Sequence, residues 1–75
     1  MARRAPASTR SDLLEAAERC FALHGLDATK VEDITAEIGI AKGAFYSYFQ
    51  SKEECWKQIV EAFLDRLHAA IDVHE

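Results

Sequence analysis

One glycine does most to limit how this chain can fold. Val31, Ile34 and Ile38 recur at three- and four-residue steps, so they share one face of a helix. Gly39 follows at once, where the chain must turn, and glycine reaches positive φ without a Cβ clash. Ile40 comes next as an apolar plug in the turn. Phe45 and Phe49 stand one helical turn apart and are expected to point back to the helix before the corner. Two short helices joined at a glycine, the second with a buried aromatic face, predict a helix-turn-helix. Lys42, Gly43, Tyr46, Ser47 and Gln50 are left on the outer face. That face is small, polar and basic, which suits a helix pressed against a nucleic-acid duplex.

The rest of the chain is expected to build a platform for this corner. Seventy-five residues make one small domain, with a core that takes only about 60% of the extended-chain surface out of water. With 49% apolar residues and a single proline, Pro6, the chain reads as all-α: a three-helix, homeodomain-like helix-turn-helix bundle followed by a longer fourth helix. The net charge of −4 argues against a polyanionic partner, but its distribution does not. Residues 1–10 hold Arg3, Arg4 and Arg10 and no acid, and residues 38–52 hold Lys42 and Lys52 and no acid. The local field decides where a phosphate can sit.

Residues 1–8 read as a flexible basic arm, residues 9–50 as the helix-turn-helix domain and residues 51–75 as a linking helix. Helix one is expected over residues 9–24, capped by Ser8 or Thr9, with Asp12 in its first turn. Leu13, Leu14, Ala17, Cys20, Phe21 and a partly buried His24 form its inner side, and Gly25 ends it. Helix two is expected to start after Thr29, in a capping box formed by Thr29 and Glu32. Ser51 and Glu54 frame a second capping box, which opens helix four over residues 51–73. On that helix Cys55, Trp56, Ile59 and Phe63 are expected to close the core. Val60, Leu64, Leu67 and Ile71 form a second stripe with 4-3-4 spacing, left to pack on something else.

Cys20 and Cys55 both fall in apolar helical patterns and read as reduced core residues. Cys20 and His24 are four apart, but no second pair of ligands accompanies them, so no metal or other cofactor is expected. Charges interrupt the apolar run over residues 13–23, which excludes a signal peptide or membrane span and leaves the cytoplasm as the expected compartment.

At this point the chain resembles a known family. Arg10, the run over residues 13–17, Phe21, Gly25, Thr29, Val31 and Ile34 lead into the string over residues 39–49 and then Ser51, Lys52 and Glu53. This order is similar to the N-terminal DNA-binding domain of TetR-family transcriptional regulators, over about residues 10–60. The resemblance implies a homodimer that binds double-stranded operator DNA and usually represses transcription. It also implies a C-terminal domain, absent here, that dimerises and binds a small-molecule inducer, with helix four as the link. The chain is accordingly expected to be a truncated one or one reduced to its DNA-binding part. It would then be monomeric or weakly self-associating through Val60, Leu64, Leu67 and Ile71.

The family's phosphate contacts carry over to Thr29, Lys30, Tyr46, Tyr48 and Lys52, and its base contacts to Lys42, Gly43, Ala44 and Ser47. The chemistry agrees with this assignment. Lysine can donate to O6 and N7 of guanine, small residues allow close approach, and a tyrosine ring offers its hydroxyl to a phosphate. Three positions depart from the family pattern. Ala41 cannot cap the reading helix, Thr35 stands for a usual alanine, and Lys30 for a usual serine or threonine. With about five phosphate contacts, the expected salt slope of DNA binding is about −4 to −5.

Two other classes compete with this reading. One is a small protein-interaction module that uses the second stripe of helix four. The other is an enzyme, which the sequence does not favour: no paired carboxylates, activated nucleophile or glycine-rich phosphate loop stands at a usable spacing.

Overall fold

The computed structural model describes residues 6–72, and the side chains of residues 9–71. Four helices follow one another: α1 (Pro6–His24), α2 (Val31–Glu37), α3 (Lys42–Phe45) and α4 (Lys52–Asp72). There is no strand among the described residues. α1 packs against both α2 and α4, and α2 packs against α3.

The core explains this arrangement. α1 contributes Leu13, Ala16, Ala17, Cys20 and Phe21, and α2 contributes Val31 and Ile34. Phe45 and Phe49 enter from α3 and the turn after it, and Cys55 from α4. The two phenylalanine rings meet at 5.3 Å. Ala16 and Ala17, both fully buried, remove bulk where a neighbour must approach closely. Both thiols are free and buried. Burial pushes the Cys55 thiol up to about 11 and raises that of Cys20, whose neighbour Glu37 adds to the effect. Both are therefore core residues, as their patterns predict.

Helix ends carry the sharpest local chemistry. Gly39 has φ +73°, and Ile40 N–H donates to the Thr35 carbonyl at 3.1 Å while Gly39 N–H donates to that of Ala36 at 3.3 Å. These are the two bonds of a Schellman motif, which satisfies carbonyls that α2 would leave open. Gly25, at φ +84°, ends α1 in the same left-handed conformation. At α4, Ser51 Oγ accepts from Glu54 N–H at 3.1 Å, and Glu54 Oε1 accepts from Gln50 N–H at 2.8 Å. The expected box is present, with the carboxylate reaching one residue further back than the motif requires.

Several expectations need correction. α1 begins at Pro6 and not at residue 9, so part of the expected arm is helical, and Asp12 lies beyond the first turn. Arg3 and Arg4 of that arm lie outside the described residues, as does Val73 at the far end of α4. His24 is exposed, because it follows Phe21 past the edge of the core. The reading helix, expected over residues 42–49, is α-helical only over Lys42–Phe45. Beyond it, Tyr46, Ser47 and Tyr48 donate to carbonyls three residues back, a tighter coil. Ala41 offers no side-chain cap and Gly43 is a weak helix former, so little holds this segment in regular α geometry.

Trp56 and Phe63 do not close the core, being 41% and 54% exposed. Cys55 and Ile59 define the inward line of α4, and the other two stand to one side of it. Trp56 meets the Phe21 ring edge-on at 5.6 Å, and together with Phe63 it borders a shallow apolar groove between α1 and α4. In the expected second stripe, Leu64, Leu67 and Ile71 are exposed and Val60 is half-buried.

Candidate nucleic-acid interface

The start of α2 shows how the candidate surface is positioned. Thr29 is fully buried. Its hydroxyl lies 2.7 Å from the Gly25 carbonyl and 3.1 Å from that of Cys20, both within donating range. It therefore ties the α1–α2 loop to the end of α1. This hydroxyl is not offered to a duplex, and the phosphate contact expected of Thr29 is withdrawn. The capping box expected with Glu32 is also absent. Lys30 occupies the N-cap position instead, and its N–H donates to Asp33 Oδ2 at 3.1 Å. The buried hydroxyl serves the carbonyls of α1, which leaves the next residue to open α2.

This shift brings the Lys30 side chain to the surface. Lys52 reaches the same place from α4. Its ammonium donates to the Asp27 carbonyl at 3.0 Å and the Thr29 carbonyl at 2.8 Å. Two of its three hydrogens are thus directed at loop carbonyls, and one remains for another acceptor. Lys52 braces the loop that carries Lys30, a role the sequence reading missed. A basic residue in the first turn of a helix, placed against the dipole, was the one available signal.

Between these lysines lies a shallow surface groove bordered by Lys30, Glu32, Lys42, Tyr46, Gln50, Lys52 and Glu53. Tyr46 is half exposed, with its ring edge-on to Phe45 at 5.4 Å. Its apolar body rests on the core while its hydroxyl end can reach water. Lys42 is exposed and paired with Glu32, Nζ to Oε2 at 3.3 Å. Glu32 is held below the usual carboxylate range, first by its own backbone N–H and then by Lys42. Gly43 and Ser47 are exposed, and Ala44 and Tyr48 are half-buried. These four do not border the groove, and Tyr48 packs against the core.

The structure therefore brings together Thr29, Lys30, Lys42, Tyr46 and Lys52 out of the nine expected contact residues, Thr29 with its hydroxyl turned inward. It also places two acids, Glu32 and Glu53, among them. A reading of charge along the chain does not find Glu32 here, because α2 and α3 come together only through the corner at Gly39. Chemically the groove presents three ammonium groups and a phenol at the ends of three helices, a set that binds anions and donates hydrogen bonds. Among the described residues, no group of three or more His, Cys, Asp or Glu converges as a metal site would require.

Comparison with known proteins gives a consistent picture. The family model for bacterial regulatory proteins of the tetR family matches residues 13–59. The HTH-type transcriptional repressor KstR2 of Mycolicibacterium smegmatis is 45% identical over 62 residues, which is 83% of this chain and 30% of the relative. The HTH-type transcriptional regulator TtgR of Pseudomonas putida is 41% identical over 64 residues, 85% of this chain and 29% of the relative. The HTH-type transcriptional repressor DhaR of a Mycobacterium species is 36% identical over 62 residues, 83% of this chain and 31% of the relative. The matched part is thus about 30% of the length of these relatives. No solved structure matches the chain significantly.

Proposed function

Since the chain belongs to the TetR family of bacterial regulatory proteins, we propose that it is the DNA-reading part of a transcriptional regulator and binds double-stranded operator DNA. The observation that carries this reading is the groove where Lys30, Lys42, Tyr46 and Lys52 meet. Lys30 and Lys52 face phosphates, and Tyr46 donates its hydroxyl to another. Tyr48 contributes through its half-buried ring edge. Lys42, Gly43, Ala44 and Ser47 approach the base edges in the major groove. The protein works by binding rather than catalysis, in the cytoplasm, and represses transcription as the names of its relatives suggest for them. No described helix is long and apolar enough to cross a membrane.

Residues 51–75 link this head to further chain that dimerises and binds an inducer. The exposed Leu64, Leu67 and Ile71 support this part of the reading, since an apolar stripe on a helix calls for a covering surface. They equally allow weak self-association of the 75-residue chain.

The test is the salt dependence of binding to a mixed-sequence duplex. With Thr29 turned inward and the tyrosines neutral, counterion release comes from Lys30 and Lys52, and from Lys42 as well once its pair with Glu32 opens. The expected log–log slope is about −2 to −3, shallower than the −4 to −5 read from sequence. Lys30→Ala reduces its magnitude by about one. A salt-independent affinity overturns the reading.

A further inference from the structure

We propose that Glu32 is a specificity-determining residue of this interface and acts through Lys42, withholding the lysine from phosphate and yielding it to a base edge. This inference rests on the DNA-binding reading above. Glu32 and Lys42 belong to different helices and meet across the corner at 3.3 Å. Both side chains are more than half exposed, at 57% and 53%, so the pair adds little to stability. Its effect on a polyanionic partner is larger. A carboxylate in the groove repels any phosphate brought near Lys42, and the lysine it engages releases no counterion until the pair opens.

The two kinds of duplex then differ. On a non-matching duplex, opening the pair exchanges a carboxylate for a phosphate and leaves Glu32 unpaired beside a polyanion. On a matching one, Lys42 gains the two acceptors of guanine, O6 and N7, and an adjacent cytosine N4 amino group can donate to Glu32. Specificity is a difference between affinities, and repulsion of the wrong partner raises it as surely as attraction of the right one. Lys52 has no such restraint at its ammonium group, which donates to neutral carbonyls. Lys42 is the groove cation that forms an ion pair with a carboxylate.

The test compares the 75-residue chain with E32Q and E32A, by fluorescence anisotropy across a range of salt. One probe is a mixed-sequence duplex, and the other is a duplex selected from a random library by the unaltered chain. Both variants are expected to bind the mixed duplex several-fold more tightly, with a salt slope steeper by about one. The ratio of selected to mixed affinity narrows. In a K42A background, E32Q no longer changes the slope. Unaltered binding that is salt-dependent, with variants that keep both slope and ratio, overturns the role of Glu32 and leaves the DNA-binding reading intact. Salt-independent binding, or none, by the unaltered chain overturns both.

Discussion

At the residue scale, Thr29 shows most clearly how position and role can separate. Its place in the sequence suggests a helix cap, and the family resemblance implies a phosphate contact. Its burial, and the Gly25 and Cys20 carbonyls within reach, make it a fastening between α1 and the loop. Thr29→Val keeps the shape but removes the buried hydroxyl that lies within reach of both carbonyls. We expect a loss of stability of about 1–3 kcal/mol in urea unfolding, with the salt slope of DNA binding unchanged. A lost phosphate contact would show the opposite pattern. Lys52 carries a similar lesson: a lysine expected to face DNA also spends two hydrogen bonds on the loop beneath it. Burial and long-range partners of this kind are set by tertiary packing, so neither role was legible in a single sequence.

At the element scale, the corner was legible because its physics is local. Three apolar residues on one helical face, a glycine and an apolar plug predict a sharp turn with positive φ, and the two bonds of a Schellman ending close it. Open space surrounds the position where a Gly39 side chain would begin, so Gly39→Ala meets no steric clash. The cost is conformational alone, from a positive φ, and we expect about 1–2 kcal/mol by denaturant titration. α3 was less legible. Its aromatic spacing was right, since Phe45 and Phe49 are buried, but the missing cap and Gly43 shorten the regular helix to four residues. On α4 the width of the apolar surface was read correctly and its division was not. Cys55 and Ile59 face inward, while Trp56 and Phe63 border an open groove. A wheel shows how much of a helix is apolar, but not how the neighbouring helices divide it.

At the scale of the whole molecule, the acids and bases are sorted by the fold more than by the chain. A net charge of −4 coexists with a groove of three lysines, because most of the acids lie on α1 and α4 away from it. Glu32 of α2 and Glu53 of α4 border the groove, and Glu32 engages a lysine there. The apolar stripe of α4 belongs to this scale too. Leu64, Leu67 and Ile71 lie well away from the lysines in sequence and on the far part of the longest helix. The proposed DNA-binding groove and the apolar stripe are therefore separate surfaces and can be probed separately.

The most direct test is an NMR titration of the isotopically labelled chain with a mixed-sequence duplex, at low and then physiological salt. The account expects amide shifts concentrated at Lys30, residues 42–48 and Lys52, fading as salt rises, with residues 64–71 unmoved. Silence at the groove, with shifts or broadening confined to Leu64, Leu67 and Ile71, would contradict it and make association the activity of this chain.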